Sequence, residues 1–247
     1  MQISVLTVPL AVQRVVMGSI EHWLPIIFAS LVGFVTIRYA KNNLLKNEQH
    51  RLIHFIAIGI SITVISFHLH KVIFEDYDLQ KDLPLYLCSL LAILIPIFTW
   101  YRKFWMYEVL VFWVIAGTLQ AVITPDIASG FPTFNYFRYW VVHLGLLFVI
   151  GYATIVLRMT PNFKSVFKSF FVLQLYFLTI MLVNHLLNAN YFYLSQKPKS
   201  ASLLDYFGEW PMYIIVVQVI LLPYFLLIYV PFYLYNRERA NKIINKK

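Results

Sequence analysis

The chain reads as an all-α polytopic membrane protein with seven transmembrane helices, and three features lead there. Of its 247 residues 60% are hydrophobic and only 13% charged, the mean hydropathy is +0.71, and the apolar residues gather into separate stretches of spanning length. A soluble domain of this size carries far more charged surface. The net charge of +9 does not point to nucleic acid. The basic residues fall in short runs between apolar stretches, where they meet anionic headgroups and set topology.

A bilayer core of about 30 Å needs about twenty apolar residues per helix. The first window is 22–40. Before it, Ile3 to Leu10 and Val15-Val16-Met17 are apolar enough to lie in the interface, while Arg14 and the lack of a basic leader argue against a signal peptide. The second window, 52–71, ends with His68 and His70. The third, 83–100, opens on Leu83-Pro84, and proline suits a first helical turn. The fourth, 104–123, is stopped by Thr124-Pro125-Asp126; in it, Glu108 is expected to reach back to Arg102 or Lys103. The fifth, sixth and seventh are 138–157, 168–187 and 211–235. The longest connection, 188–210, is broken by Pro198 and Gly208 and is too short for a soluble domain. Residues 1–247 therefore read as one seven-helix membrane domain.

Positive charge tends to stay in cytoplasmic loops. The loops around Arg38 to Arg51, Arg102-Lys103, Arg158 to Lys168 and the C-terminal end hold fourteen of the twenty basic residues; Arg14, Lys71, Lys81, Arg138, Lys197 and Lys199 fall on the other side. The bias predicts an outer N-terminus and a cytoplasmic C-terminus. Trp100, Trp105 and Tyr235 mark the inner interface, and Trp23, Trp140 and Trp210 the outer one.

Polar side chains are costly in hydrocarbon and face the bundle interior when they occur there. On this topology five helices bring polar groups to the outer third: His68; Cys88; Gln120, Thr124 and Asp126; His143; and Asn184 with His185. Cys88 is the sole cysteine, so it cannot form an intrachain disulfide. Cys88 and His143 each fall about 7 Å inside the outer boundary on helices running the same way. An imidazole that takes the thiol proton makes cysteine a nucleophile. Packing is the alternative role for the thiol.

His68, His143 and His185 at one depth offer a second chemical reading, a zinc-dependent lipid hydrolase. His68 and His70 point about 200° apart on a helix and cannot both be ligands. There is no His-xxx-His pair, and no metal or other cofactor is assigned. A transporter or sensor with an outer-leaflet ligand pocket is the non-enzymatic alternative. Retinal binding is set aside, because the last window holds no lysine.

Leu83-Pro-Leu-Tyr-Leu-Cys88, Gly117-Thr-Leu-Gln-Ala-Val-Ile-Thr-Pro-Asp126, Tyr139-Trp-Val-Val-His143, Asn190-Tyr-Phe-Tyr-Leu194, Lys197-Pro198, Ser202-Leu-Leu-Asp205 and Trp210-Pro-Met-Tyr213 resemble the YwaF-like bacterial integral membrane proteins. These are similar to the animal transmembrane protein 164 family. The resemblance runs in order from the third window to the seventh. Tyr86 stands where it leads one to expect histidine.

What the resemblance implies is a cysteine-dependent acyltransferase acting on glycerophospholipids, with Cys88 as nucleophile and His143 as its histidine. The substrates would be a phospholipid donor and a lysophospholipid acceptor in the bacterial cell membrane, and the intermediate an acyl thioester on Cys88. A thiol facing the outer leaflet has poor access to cytosolic acyl-coenzyme A, which favours lipid-to-lysolipid transacylation. His68, Gln120, Thr124, Asp126, Asn184 and His185 would bind substrate or support the oxyanion. Headgroup preference, oligomeric state and transfer versus hydrolysis stay open.

Overall fold

Apolar windows become helices because, in hydrocarbon, a backbone must satisfy its amides and carbonyls within its own segment. A computed structural model describes residues 14–199 and 202–244, with side chains to residue 238. Its helices are α1 (Ile20–Asn43), α2 (Lys46–Phe74), α3 (Leu87–Tyr101), α4 (Phe104–Ile123), α5 (Phe134–Ile155), α6 (Phe163–Leu187) and α7 (Met212–Ile244). Between α6 and α7 lie two 3₁₀ turns, Tyr191–Tyr193 and Leu203–Phe207. No strand occurs among the described residues. The interfacial segment expected at Ile3 to Leu10 lies outside them.

Six of these helices are long and apolar enough to cross a membrane; α3, at 15 residues, is apolar but shorter. The expected start of α3 at residue 83 is overturned, because Leu83 to Tyr86 are not helical. Two tyrosine hydroxyls take the place of helical partners there. Tyr191 Oη accepts the Leu83 N–H at 2.9 Å, and Tyr176 Oη donates to the Leu85 carbonyl. Pro84 is therefore outside the helix, and Cys88 falls in its first turn rather than its second.

The α2, α3 and α5 helices pack together, α4 packs on α6, α6 on α7, and α1 on α5. Gly145 sets the approach of α5 to α2: a Cβ there would lie 2.7 Å from Ile60 Cδ1. By contrast α1 fully buries only His22, Gly33 and Ala40, packs Ile26 and Ile37 partly against the core, and leaves most of its other large apolar residues exposed. His22 fastens it to α4. Its Nδ1 accepts the Gly18 N–H at 2.9 Å and its Nε2–H donates to the Val122 carbonyl at 2.9 Å.

Glu108 does not reach Arg102 or Lys103. It is 3% exposed, accepts the Ser165 hydroxyl at 2.6 Å and pairs with Lys168, tying α4 to α6. A carboxylate in hydrocarbon needs its partners at close range, and those partners face Glu108 across the helix contact.

One turn of α4, Val114–Thr118, is π-helical. Such widened turns are rare and gather at functional sites. The helix then stops at Ile123, with Thr124 closing it and Pro125 beyond, as the sequence leads one to expect.

Candidate functional site

Cys88 is the second residue of α3, whose N-terminus has no side-chain cap. The first hydrogen bond of the helix runs from Leu90 N–H to the Tyr86 carbonyl. The amides of Leu87, Cys88 and Ser89 therefore lack helical acceptors. Exposed N–H groups of a first turn favour negative charge beside them, thiolate or oxyanion. The Cys88 Sγ lies 3.5 Å from Thr118 Oγ1, contributed by the π-helical turn of α4.

His143 is almost fully buried on α5. Its Nδ1 is 2.7 Å from the Tyr139 carbonyl oxygen one turn earlier. A carbonyl only accepts, so Nδ1 carries the proton and, in the neutral ring, Nε2 carries the lone pair. The Tyr139 ring also lies against the imidazole, with centroids 4.0 Å apart. Tyr139 in turn is held by its hydroxyl, which donates to the Ala121 carbonyl at 2.8 Å.

Cys88 and His143 line the same cavity, of about 420 Å³. Gln120, Thr124 and Asp126 line it too, so five of the eight residues singled out from the sequence meet in one place. Gln120 Nε2 donates to Thr124 Oγ1 at 2.9 Å, which leaves its second amide hydrogen free for another acceptor. The carboxylate of Asp126 takes Arg14 at 2.7 Å and the Tyr193 hydroxyl at 3.1 Å. Burial pushes the Tyr193 phenol well up, which keeps it a proton donor to Asp126.

The other three sit elsewhere. His68 lines a neighbouring cavity. Asn184 is buried and grips the chain after α6: its side chain accepts the Tyr191 N–H at 2.8 Å and donates to the Tyr191 carbonyl at 2.9 Å. His185, the next residue, is exposed. The three histidines that a zinc site would need are thus apart, and no cluster of three metal-ligating side chains occurs among the described residues.

Several lining residues went unread in the sequence. Phe192 and Tyr193 hold positive φ values of 60° and 55°, a conformation costing a bulky residue roughly 1–3 kcal/mol. The Asn184 grip on Tyr191 and the Tyr213 hydroxyl, 2.8 Å from the Tyr193 carbonyl, hold them there. Both side chains border the cavity, and Phe177, Leu204, Ile214 and Val217 give it an apolar wall. Arg138 and Tyr139 border it from α5. A Tyr-x-x-x-His spacing puts both rings on one helix face, and the motifs Asn190-Tyr-Phe-Tyr-Leu194 and Ser202-Leu-Leu-Asp205 already held Phe192, Tyr193 and Leu204.

A pocket of this size, mostly apolar with a few converging polar groups, is the usual form of a small-molecule site. No curated protein and no solved structure matches the chain. A family model does, described as the TMEM164 family, over residues 17–229. That span runs from the segment before α1 into α7 and includes every cavity residue named here, so this multi-pass membrane protein belongs to the TMEM164 family.

Proposed function

We propose that the protein is a membrane-embedded phospholipid acyltransferase that passes an acyl chain from a glycerophospholipid to a lysophospholipid through a thioester on Cys88. The observation that carries this reading is that Cys88 and His143, 55 positions apart in the chain, border one cavity with an apolar wall. The family's resemblance-implied chemistry uses the same two residue types. We read the fold as one seven-span domain of the bacterial cell membrane, with α3 as a short span completed by Leu83 to Tyr86. The N-terminus would lie outside and the cavity toward the outer leaflet.

In the first step the Cys88 thiol proton passes to His143 Nε2 as Sγ attacks the ester carbonyl. The tetrahedral oxyanion is met by N–H groups of the first turn of α3 and by the free amide hydrogen of Gln120, a stabilisation worth about 3–4 kcal/mol when one such donor is removed elsewhere. Collapse expels a lysophospholipid alkoxide, which takes the proton from His143. In the second step a lysophospholipid hydroxyl gives its proton to Nε2 and attacks the thioester, and the thiolate leaves and is reprotonated. Water in the acceptor's place gives hydrolysis.

The test is to incubate purified protein in lipid with a labelled phosphatidyl donor, quench with denaturant, and search for an acyl group on Cys88 by mass spectrometry. A hydroxylamine-labile adduct absent from Cys88→Ser supports the reading. No adduct across several lipid classes, even with the second step slowed by withholding acceptor, overturns it.

A further inference from the structure

A second cavity, of about 550 Å³, adjoins the first, and Tyr86, Ser89 and Arg138 border both. Its other walls come from the outer end of α2, the connection to α3 and the start of α5. Three basic residues border it, Lys71, Lys81 and Arg138, against two acids, Glu75 and Asp82.

Both acids are engaged. Asp82 holds Lys71 at 2.7 Å and accepts the Asp78 N–H at 3.0 Å; Glu75 lies 3.7 Å from Lys71 and 3.5 Å from His70. Lys81 pairs with Asp78 at 2.9 Å. Arg138 is different. One N–H donates to Asn135 Oδ1 at 2.9 Å, the guanidinium lies 4.3 Å from the Phe67 ring centre, and its buried Nε has no partner. Among the described residues it has no carboxylate within ion-pairing distance.

His68, on the same cavity, has both ring nitrogens buried with no hydrogen bond of good geometry, and Asp82 lies close to it. Buried polar groups without partners are rare and call for a bound group. A water would satisfy the imidazole, but it leaves the half-buried guanidinium without a counter-charge, which an anion in the cavity would supply.

We propose that this cavity binds a phosphate group, with Arg138 and His68 as its ligands, and that the group is the phosphodiester of the glycerophospholipid whose ester reaches Cys88. Guanidinium offers phosphate two parallel N–H donors, and an imidazole N–H adds a third. Tyr86 and Ser89, on either side of Leu87-Cys88, stand at the junction of the polar and apolar cavities. A lipid with its phosphate at Arg138 and its acyl chain along Phe177 and Val217 passes its ester bond between them. The phosphate site stands on its own observations; only the position of the ester rests on the acyl-transfer reading.

The experiment measures lipid binding to the full-length protein, wild type and Cys88→Ser, by native mass spectrometry. The probes are phosphatidylglycerol and diacylglycerol with the same chains. Both proteins should prefer phosphatidylglycerol, and Arg138→Gln should cut that preference roughly 10–100-fold, the range for losing a charge-assisted contact. Arg138→Lys should keep part of it, and His68→Asn should lose several-fold. In parallel, inorganic phosphate should raise the melting temperature of wild type but not of Arg138→Gln if the free ion suffices; a preference for phosphatidylglycerol without that rise assigns the site to the lipid headgroup. If Arg138→Gln fails to fold, His68→Asn decides. Wild-type preference in folded variants overturns the proposal. Phosphate preference without any Cys88 thioester keeps this site and sinks the acyl-transfer reading instead.

Discussion

Thr118 Oγ1 lies 3.5 Å from Cys88 Sγ, and Thr118 is the last residue of the π-helical turn in α4. The contact joins two helices at the atom proposed to react. A hydroxyl that donates to sulfur stabilises thiolate over thiol, and a hydrogen bond to a charged group is worth about 1.5–3 kcal/mol. Sulfur is a weak acceptor, so the lower end applies.

Thr118→Val keeps the shape and removes the hydroxyl. Thioester formation on Cys88 should slow about tenfold, with Thr118→Ser near wild type. The check is a quenched time course of Cys88 acylation; equal rates in Thr118→Val and wild type would remove Thr118 from the mechanism.

His143→Ala removes the base and acid of both steps. The rate of acyl transfer should fall by roughly 10²–10⁴-fold, while lipid binding, measured without turnover, stays within a fewfold of wild type. Transfer at the wild-type rate in this variant would mean that another group moves the proton.

Asn184 and His185 make opposite predictions although they are neighbours. Asn184→Ala strips both bonds from Tyr191, leaving a buried amide and carbonyl unpaired at about 1–3 kcal/mol. Its melting temperature should drop, and the turn holding Phe192 and Tyr193 against the cavity should loosen, weakening acyl transfer too. His185→Ala, on an exposed position, should match wild type in both assays. A loss of transfer in His185→Ala would return that histidine to the site.

Glu108→Ala leaves Ser165 without its acceptor and Lys168 without its carboxylate. Lys168 is 46% exposed and can turn to water, so the cost centres on the buried hydroxyl and the lost packing, about 1–3 kcal/mol. Thermal unfolding should move down while Cys88 acylation per folded molecule holds, since Glu108 does not line the cavity. A selective loss of acylation at unchanged stability would contradict that separation.

Hydropathy is a local property, and that is why the helices were legible. The stretch 104–123 matches its helix end to end; 52–71 was read short where Lys46 to Arg51 and Val72 to Phe74 extend the helix, and 138–157 began after the helix start at Phe134 and ran past its end at Ile155. The third window failed at its start for a non-local reason. Leu83 and Leu85 give their backbone bonds to Tyr191 and Tyr176, 108 and 91 residues away, and no reading of Pro84 and its neighbours contains those partners.

Of the site, sequence position offered an expected depth, because 1.5 Å of rise per residue turns position along a spanning helix into distance from its end, and the displaced starts at Leu87 and Phe134 change that count. It supplied neither azimuth nor neighbours. Asn184 and His185 share a depth but project about 100° apart, and packing turned one into a clamp and the other outward. Arg138 read only as an outer-side charge until Phe67, Asn135 and His68 gathered round it. By itself, then, the sequence determined a chain of apolar helices and led one to expect a thiol and an imidazole at a similar depth. Tertiary structure decided that Cys88 opens α3 rather than sitting one turn inside it, that Thr118 faces it, and that Asp126 belongs to Arg14 and Tyr193. Those outcomes depend on which helix faces meet, and that is settled by close packing and by partners from 30 to 112 residues apart.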